Sequence, residues 1–205
     1  GKGDGVFVST TGVGEVLPGV NVSADRARPG DRILLSGPIG DHGVAILSKR
    51  EGLEFGTALS SDCASLNGLV EAVVEAATDR DHLHVLRDPT RGGLAAVLNE
   101  IADRSAAGML VQEESIPVRT EVKGACELLG LDPLYVANEG KLVAFVHPGS
   151  APAVLEAMRR HPLGAGAADI GEVVADESRF VRMKTPFGGH RMIDWLSGEQ
   201  LPRIC

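Results

Sequence analysis

The chain has 205 residues, 43% apolar and 23% charged, which suits one large domain, or one domain with an extra piece, and a sizeable core. Twenty basic against 28 acidic residues give a net charge of −8, so nucleic acid and anionic membrane are excluded as main partners, while a local basic pocket for a phosphate is not. No apolar run approaches the ~18 residues of a membrane span, and aromatics are only 3%, so the core must come from Val, Leu, Ile and Ala. The opening Gly-Lys-Gly-Asp-Gly is no signal peptide. The three cysteines, at 63, 126 and 205, make neither a disulfide framework nor a zinc motif, and the compartment is read as reducing cytoplasm.

Residues 4–13 are dense in β-branched residues and predict a strand. It begins abruptly, so the chain is expected to be the C-terminal part of something longer. Residues 14–30 form a loop-rich link, and the turn Arg28-Pro29-Gly30-Asp31 leads into a buried strand at 32–36. Gly37-Pro38-Ile39-Gly40-Asp41-His42-Gly43 follows, then a helix at 44–50. A glycine turn at a helix N-terminus presents backbone N–H groups to an anion, with Gly40, Asp41 and His42 as candidates. Asp41 is equally a simple helix cap.

Residues 53–64 read as a loop and 65–77 as a helix whose Leu66, Leu69, Val70, Val73 and Val74 form a core stripe. A short strand at 83–86 precedes Arg87-Asp88-Pro89-Thr90-Arg91-Gly92-Gly93 and a helix at 94–106. This second strand–turn–helix unit carries more polar groups than capping needs. Arg91 suits phosphate oxygens, Gly92 and Gly93 allow close backbone approach, and Asp88 and Thr90 add oxygens.

A strand at 108–112 and a helix at 119–129 come next, the latter with Cys126 as a small buried hydrophobe. Asn138-Glu139-Gly140-Lys141 then stands at the mouth of an apolar strand, 142–146. Glu139 there suits either a general base in a cleft or a solvated turn. A helix at 152–161 precedes strands at 170–174 and 180–184, joined by the polar turn Asp176-Glu177-Ser178. Residues 192–195 close the globular part, and 197–201 tether the terminal Pro202-Arg203-Ile204-Cys205. A thiol at a chain end is a soft nucleophile at a mobile point. The six His are scattered and read as surface or structural residues rather than metal ligands.

Four segments together resemble the C-terminal part of the HypE family of hydrogenase maturation proteins: 36–43, 87–94, 138–141 and the Pro-Arg-Ile-Cys tail. More distantly the pattern is similar to aminoimidazole ribonucleotide synthetase and selenophosphate synthetase. The resemblance implies that a carbamoyl transferase, HypF, loads Cys205, that ATP drives dehydration of the resulting thiocarboxamide to a thiocyanate, and that the cyano group passes to a HypC–HypD complex. It implies Cys205 as covalent carrier, Glu139 as base and Lys2 as a companion near the same site. Asp88, Thr90, Arg91, Gly92, Gly93, Gly40, Asp41 and His42 would serve the nucleotide phosphates. ATP and Mg²⁺ are implied as cofactors, held largely by an N-terminal domain of which residues 1–13 would be a remnant, so no metal ligand is assigned here. The full-length protein would be a cytoplasmic homodimer, whereas the fragment alone would bind ATP weakly or not at all. Two alternatives remain: a carrier and docking module presenting Cys205 without chemistry, and a related ATP-dependent synthetase.

The expected fold is α/β in layers, a mixed sheet with helices mainly on one face. Residues 14–196 would be the domain and 197–205 the tail carrying the reactive cysteine.

Overall fold

A computed structural model of the chain describes residues 5, 9, 11–52 and 59–195. Seven strands form one sheet: β1 (Arg32–Leu35), β2 (Leu83–Arg87), β3 (Gly108–Gln112), β4 (Val143–Val146), β5 (Ala168–Val174), β6 (Val181–Lys184) and β7 (His190–Met192). The helices are α1 (Asp41–Glu51), α2 (Asn67–Ala76), α3 (Gly93–Arg104), α4 (Thr120–Leu129) and α5 (Ala151–Arg160). No helix among the described residues is long and apolar enough to cross a membrane.

The strand order is β2-β4-β1-β5-β3-β6-β7. β3 and β6 pair in parallel, and the other neighbours are antiparallel. The mixed sheet is as expected. The strands flanking the turn at 176–178 are not neighbours, because β3 lies between β5 and β6. The stretch read as the close of the globular part, 192–195, begins on the last residue of a strand the sequence reading did not include: His190–Met192 add the outer strand β7 against β6.

Helices were expected mainly on one face of the sheet, and among the described residues they cover both. All four residues of β4 are fully buried, as are the last three of β1. Side chains alternate across a strand, so such runs need cover on both faces. Ile33, Leu35, Val143 and Phe145 face Leu94, Leu98 and Ile101 of α3. Leu34, Ala144 and Val146 face Leu69 and Val73 of α2 and Val154 and Met158 of α5. α1 and α4 share a third cluster through Val44, Val122 and Cys126, closed by Val136. Cys126 is the buried small hydrophobe its helical setting predicts.

Of the expected divisions, most of residues 1–13 and all of 196–205 lie outside the described residues, and so do Lys2 and Cys205.

Candidate functional site

Three of the sequence motifs meet at one side chain. Asn138 is fully buried just before β4. Its Oδ1 accepts the Gly40 backbone N–H at 2.8 Å. Its Nδ2 donates to the Pro89 carbonyl at 2.9 Å and to the Val136 carbonyl at 3.1 Å. The Asn138 backbone N–H also donates to Pro89 O, at 3.2 Å. A primary amide carries both an acceptor and two donors, so one residue ties the turn before α1 to the turn before α3.

The first turn holds Gly40, Asp41 and His42. The Gly40 N–H, one of the donors an anion would use, is taken by Asn138. Asp41 opens α1 with its carboxylate buried, 3.3 Å from the Arg119 guanidinium. Burial pushes this carboxyl above the ordinary carboxylate range, and the Arg119 and Lys141 charges pull the other way. His42 is buried, with Nδ1 2.8 Å from Ser61 Oγ, and its Nε2 has no hydrogen-bond partner among the described residues.

In the second turn, Asp88 is exposed and 3.3 Å from Arg87, which also bonds Glu100 at 3.0 Å. Arg91 is exposed and Thr90 partly buried. The Thr90 carbonyl accepts the Gly93 N–H at 2.9 Å. Gly93 has φ +63°, and a Cβ there would meet the backbone of Leu134, Tyr135 and Val136. A residue that is both left-handed and pressed onto a neighbouring main chain must be glycine.

Glu139 follows Asn138 and is partly buried. Its backbone N–H donates to Asp62 Oδ1 at 3.1 Å. The other Asp62 oxygen lies 2.9 Å from Lys141 Nζ, an ion pair in which the side chains are 3% and 9% exposed. That oxygen has close charge contact but no aligned hydrogen bond. Gly140 packs directly on the Asp62 main chain, where a Cβ would strike the Asp62 carbonyl.

The site therefore gathers Gly40, Asp41, His42, Pro89 and Glu139 around Asn138, and leaves the side chains of Asp88 and Arg91 on the surface. Sequence reading assigned no role to Asn138, Asp62, Lys141 or Arg119. Lys141 carried a usable signal, because a Lys entering a fully apolar strand needs a buried counterion. Asp62 carried none: nothing local marks an Asp in a polar loop as the partner of a turn 77 residues away.

The family model for the AIR synthase related protein, C-terminal domain, matches residues 28–184, which takes in every strand but β7. The chain belongs to this family. It is 64% identical to the carbamoyl dehydratase HypE of Azotobacter vinelandii, over 100% of this chain and 59% of the relative. A crystal structure of hydrogenase maturation protein HypE in complex with ATP is 52% identical, with a TM-score of 0.83, over 89% of this chain and 55% of that one. A HypE–HypF complex matches at 46% identity and a TM-score of 0.84, over 88% of this chain and 58% of that one. The chain thus spans about three fifths of the length of the curated relatives it matches.

Proposed function

We propose that this chain is the C-terminal part of an ATP-dependent carbamoyl dehydratase of hydrogenase maturation. The observation that carries the reading is the junction at Asn138, which brings the two glycine turns and Glu139 to one place in a chain 64% identical to a carbamoyl dehydratase. The reaction converts a thiocarboxamide on Cys205 into a thiocyanate. ATP supplies the phosphoryl group that the amide oxygen accepts, which turns that oxygen into a good leaving group. Glu139 takes a proton from the carbamoyl nitrogen as the carbon–nitrogen bond order rises. The C–O bond breaks, phosphate departs with the oxygen, and the second nitrogen proton is lost, for a net removal of one water. Lys2 and Cys205 act in this step by their family roles.

Asp88, Thr90, Arg91, Gly92, Gly93, Gly40, Asp41 and His42 are proposed to border the nucleotide phosphates, through backbone N–H groups and the Arg91 guanidinium. Among the described residues no group of three or more His, Cys, Asp or Glu is placed to hold a metal ion, so no residue is assigned to Mg²⁺ and no step runs through it. HypF as loader of Cys205, the HypC–HypD complex as cyanide acceptor, a homodimeric full-length protein and a cytoplasmic location complete the proposal.

The test is mass spectrometry of the Cys205-carbamoylated protein after incubation with ATP. Loss of one water from the full-length protein supports the dehydratase reading. Dehydration by the 205-residue chain alone would remove the carrier-only alternative. Full product formation by a Cys205→Ala variant would sink the carrier role of Cys205 and favour a free small-molecule substrate.

A further inference from the structure

We propose that Asp62 is the positioning residue of the Glu139 turn, its carboxylate holding the Glu139 main chain with one oxygen and the Lys141 ammonium with the other. The catalytic consequence rests on the reading of Glu139 as the base.

Three contacts fasten the loop around Asp62 to the turn at 138–141. Asp62 Oδ1 accepts the Glu139 N–H at 3.1 Å. Asp62 Oδ2 lies 2.9 Å from Lys141 Nζ, which also reaches the Gly140 carbonyl at 3.4 Å. The Asp62 main chain lies against Gly140 closely enough to exclude a Cβ. The carboxylate therefore engages the residue before Gly140 and the residue after it, while its own backbone covers Gly140 itself. A turn held at both ends and in the middle has little freedom to tilt the Glu139 side chain.

The same loop has a second anchor next door. Ser61 Oγ stands 2.8 Å from His42 Nδ1 and accepts the Cys63 N–H at 3.1 Å. The loop thus reaches both the start of α1 and the Glu139 turn. Asn138 fixes the turn from the other side, through Gly40 and Pro89. Glu139 sits between these two attachments.

The charge balance favours a positioning role over a packing one. The Asp62 and Lys141 side chains are nearly closed to solvent, so removing either partner leaves the other buried without its counterion. Hydrogen bonds to an ionised carboxylate are also stronger and more directional than neutral ones. A hydrophobic residue at 62 would fill the space but hold neither partner. Misplacement of a reacting group by about 1 Å can cost roughly a hundredfold in rate, so a residue that touches no substrate can still set turnover.

Two readouts test this. In the 205-residue chain, amide hydrogen exchange at Glu139 is expected to rise about tenfold or more in Asp62→Ala, with the strand 143–146 still protected. Asp62→Asn keeps an oxygen for the Glu139 N–H but turns a donor toward Lys141, and gives a smaller rise. Unchanged Glu139 exchange in Asp62→Ala overturns the proposal. If Asp62→Ala does not fold, Asp62→Asn decides by the same measure: a rise supports the proposal and wild-type exchange overturns it. In the full-length protein, Asp62→Asn is expected to lower kcat about tenfold to a hundredfold while the KM for ATP holds. Wild-type kcat in that variant removes the positioning role. Glu139→Gln, run in parallel, separates the two ideas. Normal turnover in Glu139→Gln sinks Glu139 as base and leaves the exchange result to decide whether Asp62 holds the turn.

Discussion

Asn138 Oδ1 stands 2.8 Å from the backbone nitrogen of Gly40, across 98 residues of sequence, in a position closed to solvent. The Nδ2 of the same amide bonds the Pro89 carbonyl, so the two glycine turns have a fixed relation to each other and to Glu139.

Asn138→Ala should therefore destabilise the fold by about 2 to 3 kcal/mol, because it strands the buried Gly40 N–H and removes a donor from Pro89 and Val136. Urea unfolding measures it. A loss within the noise of a surface substitution would mean that water or a shifted main chain satisfies Gly40.

Gly93 and Gly52 make a matched pair, both with φ +63°. Nothing lies within 4 Å of a Cβ at Gly52, whereas one at Gly93 would meet the backbone at 134–136. Gly52→Ala should cost about 1 kcal/mol, the left-handed penalty alone. Gly93→Ala should cost about 3 kcal/mol or more, because the contact term adds to it. Equal midpoint shifts in chemical denaturation would show that the strand–turn–helix unit relaxes freely.

The Asp41 carboxyl lies above its ordinary value of 3.8, chiefly through burial, against the pull of Arg119 and Lys141. A folded state that binds this proton more tightly than the unfolded chain is favoured by it at low pH. That contribution is lost as pH rises through the shifted range. The stability of Asp41→Asn relative to wild type should accordingly improve between about pH 3 and pH 7. Unfolding midpoints across that range give the slope, and the opposite slope would mean that the Arg119 pair outweighs burial.

Cys126 is buried in α4, and burial pushes its thiol up to about 11, while Cys63 is exposed. The thiolate is the reactive form. Brief iodoacetamide treatment of the native chain should label Cys63 and spare Cys126, with both labelled after unfolding. Peptide mass spectrometry reads the pattern, and native labelling of Cys126 would show that α4 opens away from α1.

Much of the fold was legible in the sequence because local patterns carry it. The strand at 143–146 announces itself as a continuous apolar run, and α2 by Leu69 and Val73 at helical spacing. The motifs at 37–43, 87–94 and 138–141 were legible for the same reason, since glycine and proline mark turns locally. The helices were expected mainly on one face although the strand at 142–146 is an unbroken apolar run, because such a run does not say which helix covers which side.

What the sequence alone determined is most of the elements, β7 excepted, the family and the turn motifs that meet at the site, all properties of short stretches. What only the tertiary structure decided is which of them meet. Nothing near Asp62 in the chain selects Glu139 and Lys141, and nothing near Gly40 selects Asn138. Those pairings depend on strand order and register, β4 lying beside β1 with Leu35 opposite Val143, and such long-range choices are set by how buried faces and buried charges close together.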